Sequence, residues 1–154
     1  FHDMNIFSEL ITAERTLFKI SGRSKKRIFE VLASAFSLGV TEISTKEVYE
    51  GLLERERLGS TGLGMGVAIP HCRVESCIAP MGVLASLDHE IDFDCSDGHP
   101  VNLLFALIVP YDAHQDHLDI LSEIAKLFCQ ESFCGNLRTA KSSLEMHLIS
   151  TNWK

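Results

Sequence analysis

The segment from Val101 to Val109 constrains the fold of this chain more than any other segment does. It reads VNLLFALIV, and Asn102 is its only polar residue. A continuous apolar run of this kind is typical of a strand buried on both faces, because a half-exposed strand alternates apolar and polar side chains. We therefore predict a β-sheet that is covered by helices on both sides.

Patterns on either side of this strand predict alternating strands and helices. The other predicted strands are 16–20, 67–69, 81–87 and 91–93. The predicted helices are 24–37 with a stop at Gly39, 44–58, 113–130, 131–140 and 143–150. In the helix over 113–130, the predicted core stripe consists of Leu118, Leu121, Ile124, Ala125 and Phe128. These elements predict an α/β sandwich with a central mixed, largely parallel β-sheet flanked by helices on both faces.

The length of 154 residues suits one domain, which we place at residues 4–154. Phe1, His2 and Asp3 are interpreted as an addition ahead of a natural start at Met4. The apolar runs are too short to span a bilayer and the N-terminus does not resemble a signal segment, so we expect a cytoplasmic protein with no direct membrane insertion. The odd count of five cysteines favours reduced thiols, and the net charge of −7 disfavours nucleic acid as a partner.

Residues 55–71 combine glycines, hydroxyl side chains and a final histidine in one short segment. The glycines expose backbone N–H groups and allow positive φ, which suits contact with a multiply charged oxyanion. Pro70 restricts its own φ and favours an extended Ile69, so we predict a short strand that ends where His71 begins. The pattern is typical of a histidine that carries a phosphoryl group.

Two well-known phosphate-binding motifs do not match this segment. The Walker spacing is present from Gly59 to Gly64, but Met65 and Gly66 replace the lysine and the hydroxyl residue. The dinucleotide fingerprint fails because Val67 occupies the third glycine position and a strand follows instead of a helix. We therefore predict neither a nucleotide site nor a cofactor.

Transfer of a phosphoryl group to a histidine requires an aligned imidazole and donors for the phosphoryl oxygens. We predict His71 as the acceptor, with Arg55 and His117 as donors that stabilise the phosphate. The hydroxyl and amide groups predicted to complete a phosphate cradle belong to Ser60, Thr61, Gly62 and Gly64. Ordinary structural roles remain open for these residues, since a basic residue also suits a helix C-terminus and serine or threonine also suits a turn.

A metal site is the alternative from a different class. Its ligands would be His71, His114, His117 and Cys72, because histidines one turn apart on a helix can share an ion. Arg55 would place a cation beside that ion and the glycines would have no purpose, so no metal is predicted. A separate hypothesis is that the Cys72 thiol makes the His71 site sensitive to oxidation.

With these residues assembled, the chain resembles the enzyme IIA components of the bacterial phosphoenolpyruvate-dependent phosphotransferase system (PTS), in the fructose/mannitol superfamily. The most specific element is Arg55-Glu56-x-x-Gly59-Ser60-Thr61-Gly62-x-Gly64-x-Gly66-x-Ala68-Ile69-Pro70-His71. The segments Val101–Pro110 and His117-Leu118-x-x-Leu121 support it. The resemblance runs from about Ile6 to the C-terminus, and within it Gly59-Ser60-Thr61-Gly62 and Ser24-Lys25-Lys26-Arg27 are most similar to the nitrogen-regulatory branch.

The resemblance implies a mixed sheet flanked by helices, phosphorylation of His71, and supporting roles for Arg55 and His117. It implies a phosphotransferase-system component that receives its phosphoryl group from an HPr-type phosphocarrier and regulates partner proteins through its phosphorylation state. The alternative is a fructose-type subunit that passes the group to a IIB domain and permease for sugar uptake. Leu58, Leu63 and Met65 would suit an apolar rim for contact with such partners, and burial of the same residues is the alternative.

Overall fold

The computed structural model describes residues 5–38, 40, 42–113 and 115–154, apart from the side chain of Asp116. The predicted boundary at Met4, the predicted helix stop at Gly39 and the alternative metal ligand His114 lie outside these residues. The helices are α1 (Ile6–Leu10), α2 (Lys25–Phe36), α3 (Thr45–Leu58), α4 (Gln115–Phe128), α5 (Glu131–Thr139) and α6 (Ser143–Asn152). The strands are β1 (Thr16–Ile20), β2 (Gly62–Gly64), β3 (Val67–Ala68), β4 (His71–Val74), β5 (Met81–Ile91) and β6 (Val101–Pro110).

The strands form one six-stranded sheet with the order β1-β5-β6-β3-β2, and β4 also pairs with β6. Strand β6 runs parallel to β3 and β4 and antiparallel to β5. Strand β1 is parallel to β5, and β2 is antiparallel to β3. Parallel and antiparallel pairings therefore coexist, which confirms the predicted mixed sheet.

Strand β6 supplies side chains to two separate cores, alternately from Leu103 onwards. Val101, Leu104, Ala106 and Ile108 pack in the core that also contains Phe29 of α2 and Leu52 of α3. Leu103, Phe105, Leu107 and Val109 pack in the core that contains residues of α1, α4, α5 and α6, including Phe7, Phe128, Phe133 and Met146. All eight of these β6 side chains are at most 1% exposed, so the prediction of a strand buried on both faces is confirmed.

Three helices begin directly after serines that cap them. The side chains of Ser24, Ser44 and Ser142 accept hydrogen bonds from backbone N–H groups in the first turns of α2, α3 and α6. Helix α1, which begins after Asn5, was not predicted because its five residues are too short for a clear periodic pattern.

Several predicted elements differ from the structure. The segment 81–93, predicted as two strands, contains the single strand β5, whose pairing with β6 is irregular between Ser86 and Ile91. Strands β2 and β4 were not predicted as strands. Leu118, predicted in the core stripe of α4, is 57% exposed, whereas Ile124 and Phe128 are buried. The first turn of α4 lies beside the cavity that contains His117, so only the later turns cover the core.

Gly51 allows α3 to lie close against β4. A Cβ atom at Gly51 would lie 2.8 Å from Sγ and 3.3 Å from Cβ of Cys72, closer than packed atoms tolerate. Because Arg55 follows one turn later on α3 and Cys72 follows His71 on β4, this contact sets the spacing between Arg55 and His71.

We expect Gly51→Ala to destabilise the fold by about 1–3 kcal/mol, because the added methyl group overpacks the contact with Cys72. Gly135 in α5 is the matched control, since an added Cβ there would meet no atom within 4 Å. Gly135→Ala should stabilise the fold by about 0.5–1 kcal/mol through helix propensity. Urea unfolding of both variants checks this, and a stability gain in both would contradict it.

Candidate functional site

The backbone from β3 through Pro70 to His71 stays hydrogen-bonded to β6. Val67 and Ala68 of β3 pair with Leu103 and Leu104, and His71 at the start of β4 pairs with Leu107. Between the two strands, the Pro70 carbonyl accepts a hydrogen bond of 2.9 Å from the Leu107 N–H. The extended approach to His71 is confirmed, but His71 itself begins a strand, which was not predicted.

A backbone hydrogen bond defines the proton position on the His71 ring. Its Nδ1 atom lies 2.7 Å from the carbonyl oxygen of Ile69. A carbonyl oxygen can only accept, so Nδ1 carries the proton and Nε2 keeps its lone pair. The site therefore presents Nε2 as its nucleophilic atom.

His117, in the first turn of α4, lies next to His71. The two ring centroids are 5.5 Å apart and the ring planes meet at 76°. The Nε2 atom of His117 is buried and, among the residues that the structure describes, has no hydrogen-bond partner. A buried polar atom without a partner is uncommon and indicates a group that contacts a ligand.

Arg55, His71 and His117 line one cavity of about 760 Å³. Arg55 is in the last turn of α3, and its Nη1 donates a hydrogen bond of 2.8 Å to the Gly59 carbonyl. This bond uses one of several guanidinium donors, so Arg55 both caps α3 and keeps donors for an anion. The structure thus brings together the three residues predicted to act directly on the phosphoryl group.

Burial and neighbouring charge keep both histidines neutral. Burial lowers the pKa of His71, and the positive charge of Arg55 lowers it further, against opposing effects of the Ile69 carbonyl and the Glu56 carboxylate. Burial also lowers the pKa of His117, and repulsion from His71 when that ring is protonated and from the charge of Arg73 lowers it further. Both imidazoles are therefore uncharged near neutral pH, which leaves Nε2 of His71 free to attack an electrophile.

The structure does not bring the other predicted cradle residues to this cavity. The Ser60 hydroxyl donates to the Phe93 carbonyl at 2.5 Å, and the Thr61 hydroxyl donates to Glu56 at 2.6 Å. Gly62 and Gly64 form β2, which pairs with β3. These residues shape the segment that leads to His71, and none of the four lines the cavity.

Two glutamates that sequence reasoning missed support the site. Glu47 of α3 accepts hydrogen bonds from the backbone N–H groups of Glu75 and Ser76, at 2.6 and 3.2 Å, and so holds the turn after β4. Burial tends to raise the pKa of Glu47, but these hydrogen bonds outweigh it and lower the pKa. Glu56 accepts bonds from Lys25 and Thr61. The sequence signal for Glu56 was its place beside Arg55 in the segment that carries the family resemblance.

Exposed apolar side chains line the cavity that contains the two histidines, but of the predicted rim residues only Leu58 is among them. Leu58 lines the cavity and is 79% exposed, and Tyr111 lines it and is 67% exposed. Leu63 instead packs against a core, and Met65 lines a separate depression beside Arg138. The rim is therefore wrong for Leu63 and Met65, since neither residue lines the cavity that contains His71.

Within the described part of the chain, no group of three or more His, Cys, Asp or Glu side chains could hold a metal ion. His114, one of the ligands of the alternative metal site, is not described. None of the helices in the described ranges is long and apolar enough to cross a membrane.

Cys72 has the properties of an unreactive thiol, which argues against the oxidation hypothesis. It is buried, and burial together with the charges of Glu47 and Cys77 raises the pKa of its thiol to about 12. We expect iodoacetamide to modify the exposed Cys129 of the folded protein and to leave Cys72 intact, because the thiolate is the reactive form. Peptide mass mapping checks this, with urea-unfolded protein as the reactive control; rapid labelling of Cys72 in the folded protein would contradict it.

Comparison with known proteins adds three findings. Residues 9–152 match the family described as phosphoenolpyruvate-dependent sugar phosphotransferase system, EIIA 2. The nitrogen regulatory protein of Pseudomonas aeruginosa is 39% identical over 141 residues, which cover 92% of each chain. The crystal structure of nitrogen regulatory protein IIA-Ntr from Neisseria meningitidis is 36% identical and superposes with a TM-score of 0.85, covering 94% of this chain and 99% of that one.

A more distant structure shares the fold. IIA mannitol from Escherichia coli is 19% identical and has a TM-score of 0.73, covering 90% of this chain and 97% of that one. The same open mixed sheet flanked by helices is therefore present in both, as the sequence resemblance implied.

Proposed function

This chain belongs to the EIIA 2 family of the phosphoenolpyruvate-dependent sugar phosphotransferase system, and we propose that it is a cytoplasmic phosphocarrier of the nitrogen-regulatory type. His71 accepts a phosphoryl group from an HPr-type phosphocarrier, and its phosphorylation state regulates partner proteins. The observation that carries this proposal is the 2.7 Å contact of His71 Nδ1 with the Ile69 carbonyl, which leaves Nε2 for attack, in a cavity that also contains Arg55 and His117. The Nε2 atom of His117 has no hydrogen-bond partner among the described residues.

In the proposed reaction, Nε2 of His71 attacks the phosphorus atom of the carrier's phosphohistidine. The phosphorus–nitrogen bond in the carrier breaks, its electron pair stays with the carrier nitrogen, and a new phosphorus–nitrogen bond forms to His71. Nδ1 keeps its proton throughout, and its hydrogen bond to the Ile69 carbonyl stabilises the positive charge that develops on the ring.

Arg55 and His117 stabilise the transferred group in this proposal. The phosphoryl oxygens carry most of the charge during transfer, so fixed donors around them contribute most of the catalysis. Arg55 offers its remaining N–H donors, and His117 donates from the buried Nε2 that has no partner in the described protein. The exposed Leu58 and Tyr111 at the cavity edge suit contact with a partner protein.

Incubation with phosphoenolpyruvate, enzyme I and a phosphocarrier tests the proposal. We expect the intact mass to increase by one phosphoryl group, which acid removes, and omission of the carrier to prevent the increase. The phosphorylated protein is then offered a fructose-type IIB domain. Retention of the group favours the regulator, rapid transfer favours the sugar-uptake subunit, and no addition with any HPr-type carrier contradicts the proposal.

The charge of Arg55 should also be visible in the pH dependence of transfer. Because the lowered pKa of His71 keeps the ring neutral, its reactivity should persist as pH falls and decline only below the usual histidine range. Arg55→Gln removes a charge that lowers this pKa, so the decline should begin at higher pH, with transfer about 10-fold to 100-fold slower.

Single-turnover transfer rates across this pH range measure the effect. Arg57→Gln is the matched control, since Arg57 also lies in the last turn of α3 and pairs with Glu54 but does not itself line the cavity. Parent-like pH profiles for both variants would contradict the role of Arg55.

A further inference from the structure

Glu56 is a buried carboxylate with three hydrogen-bond donors around it. Its side chain is 7% exposed, and Lys25 of α2 lies 2.8 Å away. The Thr61 hydroxyl and the Thr61 backbone N–H donate to the two carboxylate oxygens at 2.6 and 3.3 Å. A buried charge is costly unless it is paired and hydrogen-bonded, so this arrangement holds Glu56 and Thr61 in one geometry.

The same hydrogen-bonded path continues to His71. The Thr61 carbonyl accepts a bond of 3.0 Å from the Ile69 N–H. The Ile69 carbonyl in turn accepts the bond of 2.7 Å from Nδ1 of His71. Thr61 is 8% exposed and Ile69 is 6% exposed, so the path runs through the protein interior.

The position of Glu56 on its helix conflicts with local preference. Glu56 lies near the C-terminus of α3, where the helix dipole disfavours a negative side chain and favours a positive one. Lys25 offsets this charge from another helix and also lies 4.8 Å from the centre of the Phe93 ring. Residues that break a local preference while being fully paired are expected at sites where the fold serves a function.

We propose that Glu56, held by Lys25, is a positioning residue that sets the orientation and the proton position of the His71 ring through Thr61 and Ile69. Glu56 holds the Thr61 backbone, Thr61 aligns the Ile69 peptide, and the Ile69 carbonyl keeps the proton on Nδ1. The Nε2 lone pair then points to the cavity that Arg55 and His117 share. The inference rests on the proposed function, because it assigns these residues to the transfer step at His71.

Nitrogen-15 spectra of the His71 ring test the proposal directly, because they distinguish a protonated ring nitrogen from an unprotonated one. The parent should show a protonated Nδ1 and an unprotonated Nε2 near neutral pH. In Glu56→Gln and Thr61→Val we expect a mixture of the two tautomers, because the Ile69 carbonyl is no longer held in line with Nδ1 of His71. Thr61→Ser keeps the hydroxyl donor and should restore the parent spectrum.

The titration of His71 gives a second readout. Among the described residues, Arg55, Glu56 and His117 interact electrostatically with His71, and Arg73 and Glu54 line the same cavity. Of these groups, Glu56 is the one that raises the pKa of His71. Glu56→Gln should therefore move the His71 titration to lower pH. Glu30→Gln is the matched control, since Glu30 is an exposed carboxylate on α2 that pairs with Arg27.

Transfer rates complete the test. A small misplacement of a reacting group can slow a reaction by roughly 100-fold, so we expect Glu56→Gln and Lys25→Met to be about 10-fold to 100-fold slower than the parent. Lys25→Arg retains the charge and should recover most of the rate. Lys26→Met, at the exposed neighbouring position, is the control for Lys25→Met.

Each outcome supports or overturns the proposal. Mixed tautomers in Glu56→Gln and Thr61→Val, with parent-like spectra in Glu30→Gln and Thr61→Ser, support it. A parent-like tautomer and titration in both Glu56→Gln and Thr61→Val would overturn it. If Glu56→Gln fails to fold, the comparison of Thr61→Val with Thr61→Ser decides, and parent-like tautomers in both would overturn the proposal. Because the spectra need no phosphocarrier, absence of phosphorylation in the parent would contradict the proposed function and leave this test intact.

Discussion

His71→Ala abolishes phosphorylation in our account, because no other described residue of the cavity presents a nucleophilic nitrogen with its other ring nitrogen held by a carbonyl. After incubation with phosphoenolpyruvate, enzyme I and a phosphocarrier, the intact mass of this variant should not change. The fold should persist, since His71 is only half-buried and the neighbouring strand pairing is made by backbone groups.

His99→Ala is the matched control for this loss. His99 is an exposed histidine between β5 and β6, and it does not line the cavity. The His99→Ala variant should be phosphorylated as the parent is. Both His71→Ala and His99→Ala should keep the parent's circular dichroism spectrum. Phosphorylation of His71→Ala at the parent's rate would place the acceptor elsewhere.

His117→Ala should slow transfer to His71 by roughly 100-fold, the usual effect of losing one donor to developing negative charge. The fold should be retained or slightly stabilised, because the substitution removes a buried nitrogen that has no partner in the described protein. His117→Asn, which keeps a donor, should recover part of the rate. Single-turnover transfer measures this effect.

His89→Ala serves as the control for His117→Ala, because His89 is 53% exposed and lies on β5 away from the cavity lining. Equal rates for His117→Ala and the parent would show that His117 does not stabilise the transferred group. A large loss of stability in His117→Ala would instead assign the residue a role in packing.

Local sequence patterns were sufficient to predict the layers of the fold. The apolar run of β6 required a core on each face, and both cores are present. The starts of α2, α3 and α6 were predictable, because each helix follows a serine and a serine cap acts within one turn. The short strands β2 and β4 depend on partners far along the chain, and their few residues carry no periodic signal.

The candidate site was predictable where one segment supplies both the residue and its support. His71 follows Pro70 and an extended segment, as predicted from these local features. The same segment supplies the Ile69 carbonyl that bonds to Nδ1 of His71. The roles of Ser60 and Thr61 were not predictable, since their hydroxyls bond to Phe93 and Glu56 rather than to the cavity. A hydroxyl near glycines suits an anion or a buried carboxylate equally well, and only the three-dimensional arrangement distinguishes the two.

Glu56 shows a further limit of sequence reasoning. Its partner Lys25 lies on a different helix, and nothing in the spacing of the two residues relates them. Their relation to His71 runs through backbone groups of Thr61 and Ile69, which carry no side-chain signature. Long-range contacts through the backbone therefore have to be read from the structure.

The central claim is that Nε2 of His71 accepts the phosphoryl group. Its most direct test is a phosphorus–nitrogen coupling measurement by nuclear magnetic resonance on phosphorylated, nitrogen-15-labelled protein. We predict coupling of phosphorus to Nε2 of His71, with Nδ1 still protonated and bonded to the Ile69 carbonyl. Coupling to Nδ1 of His71, or to a nitrogen of any other histidine, would contradict the account.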